Sequence, residues 1–381
     1  MNNIFAIIIM TLLWVVNIFN GTGLNEVYHV TDIAKYTVIV LAAATMLLSL
    51  GNKNKRQVEK KSIFVFTGVI LVFFISAAAR GYASECLGYI WVYMLIYLIG
   101  QLSISSKAFY IIGLIYGFLG AFVLVIYDYG SVLSGWNENA IAMIGMHSYL
   151  IFIIPFFKDS RTYTNKIIII AATALFAFLL APTQSRSGTL FLIIEAAFAM
   201  KLIKPKVLVR GSKKRFLVLL VPFIIAAVVS IISGTPMTEK LNTWSMDQFD
   251  KPIFNGRDEL WLEGFRILKE NFLLGTGNLS MENWHNSAIA CLTAFGVVGF
   301  ILWIMSFKTI IDESKTCFFD PFVAGSVISF MVLYMQQSVE LGFITSSPSM
   351  LPYVLLGMML ARVNHLKKRE SNERRLNNHE A

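Results

Sequence analysis

The sequence predicts an all-α, polytopic integral membrane protein, and three observations carry this prediction. Hydrophobic residues make up 56% of the 381 residues, charged residues only 14%, and the mean hydropathy is +0.65. The first observation is this composition and the second is the mean hydropathy, and both lie outside the range of soluble globular domains. The third observation is a series of apolar runs, each long enough to cross a hydrocarbon core of roughly 30 Å.

Twelve apolar runs are predicted to be transmembrane helices. The first is interpreted as a span and not as a signal peptide, because no basic segment precedes its apolar core. Helices 1–9 then occupy residues 1–233, a long hydrophilic loop occupies 234–285, helices 10–12 occupy 286–365, and a basic tail occupies 366–381. The runs lie near 4–20, 33–50, 62–79, 88–104, 108–127, 139–157, 166–182, 187–204, 216–233, 286–307, 321–337 and 346–363.

Basic residues predict the orientation of these helices. With both termini in the cytoplasm, three quarters of the 32 Lys and Arg residues fall in cytoplasmic segments, as they usually do. The net charge of +9 is therefore interpreted as a topology signal, and no nucleic-acid partner is expected. The loop 234–285 is then the one long segment outside. The three cysteines are far apart and predict neither a disulfide framework nor a metal site.

Arg186 is the first candidate for chemistry, because it stands in the polar notch "TQSRSG" between two apolar runs. The predicted topology places this notch at the outer membrane surface. An arginine there can serve as an interfacial anchor whose charge reaches the headgroups. It can equally bind an anionic ligand.

The stretch "NGRDELWLEGFRILKENFLLGTG" predicts an amphipathic helix inside the long outer loop. Asn255 is the expected N-cap, and Lys269 stands in the last turn, where the helix dipole favours a cation. Apolar residues recur at spacings of three and four and form one face that can cover a site at the membrane surface. Arg257 falls in the first turn, where an arginine does not help the helix. Arg266 is expected on the polar face.

His285 and Asn286 stand where the tenth span begins, after Trp284. A Trp-His pair at headgroup depth is one interpretation. The other is a catalytic one, because two arginines and a histidine then converge at one surface from three segments. Arginine binds phosphate oxygens in a bidentate manner, and a neutral histidine accepts a proton near pH 7. These groups suit a reaction with a lipid diphosphate as leaving group and a sugar hydroxyl as nucleophile.

The motifs "TQSRSG", "NGRDELW", "LLGTG" and "WHNSAIACLTAFGVVGF" occur in an order and spacing that resemble the O-antigen ligase and Wzy polymerase superfamily. The resemblance covers roughly residues 181–300, and "GWNENAIAM" is similar to an Asn-containing outer loop of many members. It implies a GT-C-like bundle of about twelve helices with one long periplasmic loop over the site. It also implies transfer of a glycan from undecaprenyl diphosphate in the bacterial inner membrane, without metal or cofactor.

On this resemblance Arg186 and Arg257 bind the donor diphosphate, and His285 is the general base of an inverting transfer. The acceptor is another lipid-linked repeat unit in a polymerase and the lipid A core in a ligase. The shortness of the chain and its single histidine at this position favour the polymerase, with a chain-length regulator as a possible partner. The residues expected as secondary contacts, unless they are only solvated or cap helices, are Arg80, Asn137, Asn139 and Asn286.

A lipid-linked oligosaccharide flippase or another transporter is the more distant alternative. Transporters hold substrates near the bilayer midplane on matched halves. Here the polar residues gather on one outer face, and the halves do not match. Glu195 lies nine residues after Arg186, roughly 13 Å deeper along a helix. We therefore expect Glu195 to bond to a neighbouring helix and not to join the site.

Overall fold

The computed structural model describes residues 2–21, 59–129, 138–158, 162–204, 211–250, 252–345 and 348–380. These residues form helices joined by turns, without any strand in the described ranges, which confirms the all-α class. Their α-helices are α1 (Asn2–Gly21), α2 (Lys60–Ala78), α3 (Leu87–Gln101), α4 (Ser106–Tyr129), α5 (Glu138–Ile153), α6 (Tyr163–Leu180), α7 (Arg186–Ala199), α8 (Ser212–Leu219), α9 (Val221–Ile232), α10 (Pro236–Phe249), α11 (Arg257–Glu270), α12 (Ser287–Asp312), α13 (Pro321–Gln336) and α14 (Leu351–Glu380).

Each predicted span that falls in the described ranges overlaps one of these helices, whereas the run 33–50 lies outside them. Six helical segments in the described part are long and apolar enough to cross a bilayer, and a seventh results if α8 and α9 count as one span. α13 and the apolar part of α1 are shorter. A polytopic membrane protein is consistent with this finding, and the number of twelve spans stays a prediction.

The predicted span 216–233 is not one continuous helix. α8 and α9 meet at Leu220 with a bend of 49°. Pro222 stands in the first turn of α9. Because proline has no amide hydrogen, it cannot donate the bond that would continue α8 into α9. Next to the bend, the Pro222 carbonyl oxygen accepts a 3.0 Å hydrogen bond from the Asn286 side chain.

The helices pack as pairs around an aromatic core. α4 packs along α5, α3 along α14, α2 along α12, and α13 along α14. Phe307 lies near the centre of the core, with its ring 5.3 Å from Trp303 and 5.6 Å from Phe343 in edge-on contacts. Asp320, at the start of α13, forms an ion pair with Arg362 of α14 at 2.8 Å. The end of the bundle with this pair also holds Arg215 of α8, which pairs with Asp312.

The loop 234–285 is mostly helical and lies on the first turns of α12. α11 has the predicted apolar face, with Trp261, Ile267 and Leu268 buried. Gly264 stands against Trp284 and Ile289, so α11 approaches α12 closely. The predicted cap is wrong: Asn255 is left-handed, and Gly256 occupies the N-cap position without a side-chain bond.

α12 bends at Gly296, where φ is 64° and ψ is −171°. A bend in a membrane helix leaves backbone groups without their helical partners. The turn 272–277, which contains the predicted "LLGTG" stop, satisfies these groups. The backbone bonds are Thr276 N to Thr293 O, Gly277 N to Ala294 O, Val297 N to Phe272 O and Val298 N to Leu273 O, at 2.8, 2.8, 2.9 and 3.3 Å.

The predicted basic tail 366–381 is helical over its described residues, because α14 continues without a break to Glu380. Arg369 pairs with Glu373 one turn later, at 2.8 Å. Pairs at this spacing support an exposed helix.

Candidate active site

Glu340 lies at the centre of the candidate site, in the loop after α13. Only 7% of its side chain is exposed. Its Oε1 atom lies 3.6 Å from Nη2 of Arg257 and accepts a 3.3 Å hydrogen bond from the Ser187 hydroxyl. Its Oε2 atom lies 4.0 Å from Nδ1 of His285. These four residues, together with Arg186, are called the Glu340 cluster.

Arg186 is the first residue of α7, and the notch before it explains its position. Gln184 is left-handed with a φ of 51°, which turns the chain at the end of the preceding helix. The Ser185 hydroxyl then caps α7 by accepting the Gly188 amide at 3.2 Å. The exposed Arg186 side chain reaches the Pro252 carbonyl oxygen, at 3.5 Å, in the loop before α11.

Arg257 is the first residue of α11, and 20% of its side chain is exposed. Burial lowers the pKa of Arg257 from its ordinary value. The Glu340 carboxylate acts against this shift, and the positive charge of Arg186 lowers the pKa of Arg257 further. The two predicted arginines are thus close enough to repel each other. An anion bound near both arginines would act in the same direction as the Glu340 carboxylate and favour the charged form of Arg257.

His285 joins the loop to α12. Its backbone is left-handed with a φ of 46°, a conformation that few residues other than glycine adopt. Such backbone strain is typical of functional sites. The imidazole remains 31% exposed, so it can meet a ligand from the solvent side.

Asn286, expected as a secondary contact, is the N-cap of α12 and is completely buried. Its amide nitrogen donates to the carbonyl oxygens of Pro222 and Ser338, at 3.0 and 2.9 Å. Its oxygen accepts two amides of the first turn of α12. All four of these bonds are made within the protein, and they fix the backbone directly after His285.

Among the described contacts, none joins the other secondary candidates to the cluster. Arg80 is exposed after α2, and no hydrogen bond or ion pair among the described residues joins its side chain to Glu340 or to the predicted arginines. Asn139 is half-buried in the first turn of α5. Asn137 lies outside the described residues.

Glu195 is buried in α7 below the cluster, as expected from its spacing. Its Oε1 atom accepts a 2.6 Å hydrogen bond from Ser329 of α13. The prediction of a bond to a neighbouring helix is therefore confirmed. No group of three or more His, Cys, Asp or Glu side chains in the described ranges is arranged to hold a metal ion.

Three helices, α7, α11 and α12, begin at the Glu340 cluster. Ser185 and Asn286 cap amides in the first turns of α7 and α12, and the helix dipole places a partial positive charge at each of the three N-termini. The cluster thus combines two guanidinium groups with three positive helix ends around one carboxylate. Chemically, it can bind a multiply charged anion beside a histidine that can accept a proton.

Sequence reasoning missed Glu340, although one signal was available. It is the single acidic residue between Asp320 and Glu370, and it follows the apolar run 321–335 and the polar residues 336–338. A single carboxylate at the end of a membrane span predicts a cationic partner nearby, because an unpaired charge there is unfavourable.

Comparison with known protein families finds a match in the middle of the chain. No curated protein matches the sequence. Residues 171–304 match the family model described as O-Antigen ligase, and this range contains Arg186, Arg257 and His285. The match supports a membrane protein of the ligase or polymerase type, an enzyme class that acts on lipid-linked glycans. Over these residues, the predicted resemblance to the O-antigen ligase and Wzy polymerase superfamily is confirmed.

Proposed function

We propose that the protein is a glycosyltransferase of the bacterial inner membrane. It transfers a glycan from an undecaprenyl-diphosphate-linked donor to a sugar hydroxyl at the outer face. The observation that carries this proposal is the convergence of Arg186, Arg257 and His285 around Glu340 at three helix N-termini. The family match over residues 171–304 supports the same reaction class.

The two arginines suit the diphosphate of the donor. A diphosphate diester carries two negative charges, and each guanidinium can form two parallel hydrogen bonds with phosphate oxygens. Arg186 and Arg257 influence each other electrostatically, and a bound diphosphate would offset the positive charge of both. The lipid chain of the donor would remain in the membrane next to the bundle.

His285 suits the role of general base. In the proposed step the imidazole takes the proton of the acceptor hydroxyl while the hydroxyl oxygen bonds to the anomeric carbon. The bond between that carbon and the diphosphate oxygen breaks, and its electron pair leaves with undecaprenyl diphosphate. Attack opposite the leaving group inverts the anomeric configuration. The arginines stabilise the negative charge that develops on the leaving oxygen.

The acceptor separates two versions of this function. We favour a lipid-linked repeat unit, as in a polymerase, because a single histidine, His285, stands at this position. The family description names the ligase, which attaches the glycan to the lipid A core. Deletion in the native host, followed by a gel of the surface glycans, tests both. Core capped by one repeat unit indicates the polymerase, and bare core with long glycan on the lipid carrier indicates the ligase. Unchanged surface glycans contradict both.

The complementing variant for this experiment is His285→Asn. Asparagine adopts left-handed backbone conformations more readily than most residues, so this change keeps the turn before α12 and removes the base. We expect a loss of about 10²–10⁴-fold in transfer rate, as is usual for a general base. The matched control is His365→Asn, because His365 lies in α14 and pairs with Ser103, 3.0 Å away. The proposal fails if His285→Asn restores normal glycans.

A further inference from the structure

In the described part of the chain, two buried carboxylates, Asp320 and Glu340, pair with arginine, and the two pairs differ in geometry. Asp320 and Glu340 each have only 7% of the side chain exposed. Asp320 accepts hydrogen bonds from both Nη2 and Nε of Arg362, with the shorter at 2.8 Å. Glu340 stays 3.6 Å from Arg257, which is longer than a charge-assisted hydrogen bond. The Asp320 pair is therefore a closed structural link, whereas the Glu340 pair is open.

The two oxygens of Glu340 face different partners. Oε1 faces Arg257 and Ser187, whereas Oε2 faces His285. The carboxylate thus stands between a group that suits a diphosphate and a group that suits a general base. None of its three contacts is shorter than 3.3 Å, so a small movement can strengthen one of them and weaken the others.

We propose that Glu340 is a positioning residue that exchanges Arg257 for His285 when the donor binds. This inference rests on the proposed function. In the empty site the carboxylate offsets part of the charge of the two arginines. A diphosphate brings two negative charges to the same guanidinium groups and competes with Glu340 for Arg257.

Loss of Arg257 is unfavourable for the Glu340 carboxylate, because a buried charge without a cationic partner is poorly stabilised. Ser187 keeps its hydrogen bond to Oε1, and the next donor is Nδ1 of His285, which lies 4.0 Å from Oε2 and becomes a cation when it is protonated. Closing this distance by about 1 Å forms a hydrogen bond. A proton fixed on Nδ1 leaves Nε2 as the acceptor nitrogen and holds the ring in one orientation. The base is thereby oriented only when the diphosphate is in place.

The exchange predicts two opposite effects of Glu340→Gln. The variant removes the competitor for Arg257, so inorganic diphosphate should bind about tenfold more tightly than to the parent protein. It also removes the carboxylate that orients His285, so kcat should fall about 10- to 100-fold, as when an orienting carboxylate is lost elsewhere. A purely structural role would weaken binding and lower the thermal stability as well.

The experiment uses the full chain purified in lipid nanodiscs. Binding of inorganic diphosphate is titrated calorimetrically, and transfer is measured with a lipid-linked donor. Glu263→Gln is the matched control. Glu263 is 50% exposed on α11, so this substitution removes the same charge outside the cluster. Glu263→Gln should change neither the affinity for diphosphate nor kcat. If Glu340→Gln does not fold, Glu340→Asp replaces it. Its affinity should stay near that of the parent, and its kcat should still fall, since the shorter carboxylate ends farther from His285.

The outcomes separate this inference from the function on which it rests. An active parent protein with an inactive His285→Asn variant supports the function. If Glu340→Gln then binds diphosphate no more tightly, or keeps the parental kcat, the exchange is overturned and the function stands. If the parent transfers no glycan from any lipid-linked donor, the function itself is overturned.

Discussion

The indole Nε1 of Trp261 donates a 2.7 Å hydrogen bond to the backbone carbonyl oxygen of Trp284. This bond joins α11, which begins with Arg257, to the residue just before His285. Both tryptophans are almost completely buried. One side chain outside the cluster thus contributes to the relative position of Arg257, the proposed anion-binding residue, and His285, the proposed base.

We predict that Trp261→Phe lowers activity without touching the cluster. The change keeps an aromatic ring but leaves the Trp284 carbonyl without its donor, at a cost of about 2 kcal/mol. We expect a lower thermal unfolding temperature and a severalfold lower kcat, because small displacements of reacting groups are costly. Trp244→Phe is the matched control, since Trp244 is 53% exposed on α10. Equal effects of both changes would contradict this role of the bond.

A second prediction concerns the arginines. Arg186→Ala and Arg257→Ala should each lower kcat/KM by at least about 30-fold, the usual scale for removing one partner of a buried charge pair. Arg186→Lys should also be poor, because lysine keeps the charge but lacks the planar fork. Initial rates over a range of donor concentrations would measure these effects.

The control for this prediction is Arg266→Ala. Arg266 is 74% exposed on the polar face of α11, where it pairs with Glu263 at 3.4 Å. This variant should transfer glycan at the parental rate. Full activity of Arg186→Ala and Arg257→Ala in properly inserted protein would refute the assignment of the diphosphate site.

The sequence sufficed to predict those parts of the fold and site that depend on local patterns. Apolar runs reveal which segments are helical, and the spacing of Trp261 and Leu268 reveals the buried face of α11. Arg186, Arg257 and His285 could be grouped because their segments share one predicted membrane surface. Each of these signals lies within a short stretch of chain.

The parts that sequence reasoning missed depend on distant contacts. Glu340 lies 55 residues after His285 and meets it only through the packing of α12 and α13. The bend at Gly296 exists because the turn 272–277 supplies backbone partners, and hydropathy does not detect such partners. The bonds from Asn286 to Pro222 and Ser338 likewise join segments that are far apart in the chain.

The last prediction tests the contact between the loop and α12. Gly275 has a φ of 69°, and a Cβ atom there would lie 2.4 Å from the carbonyl carbon of Ala294. Gly81 has a similar φ of 84°, but nothing lies within 4 Å of its Cβ position. Gly81→Ala should therefore cost only about 1–2 kcal/mol, the price of a left-handed alanine.

Gly275→Ala adds a collision with backbone to the same conformational cost, and backbone cannot move aside as a flexible side chain can. We expect a loss of more than about 4 kcal/mol, within the range of the largest effects of single substitutions. The turn 272–277 would detach from α12, and α11 with Arg257 would lose part of its support. Thermal unfolding of both variants in nanodiscs, with transfer rates measured alongside, compares them directly. Equal losses of stability in Gly81→Ala and Gly275→Ala would mean that backbone conformation alone sets the cost, and that the turn is not locked to the bend at Gly296.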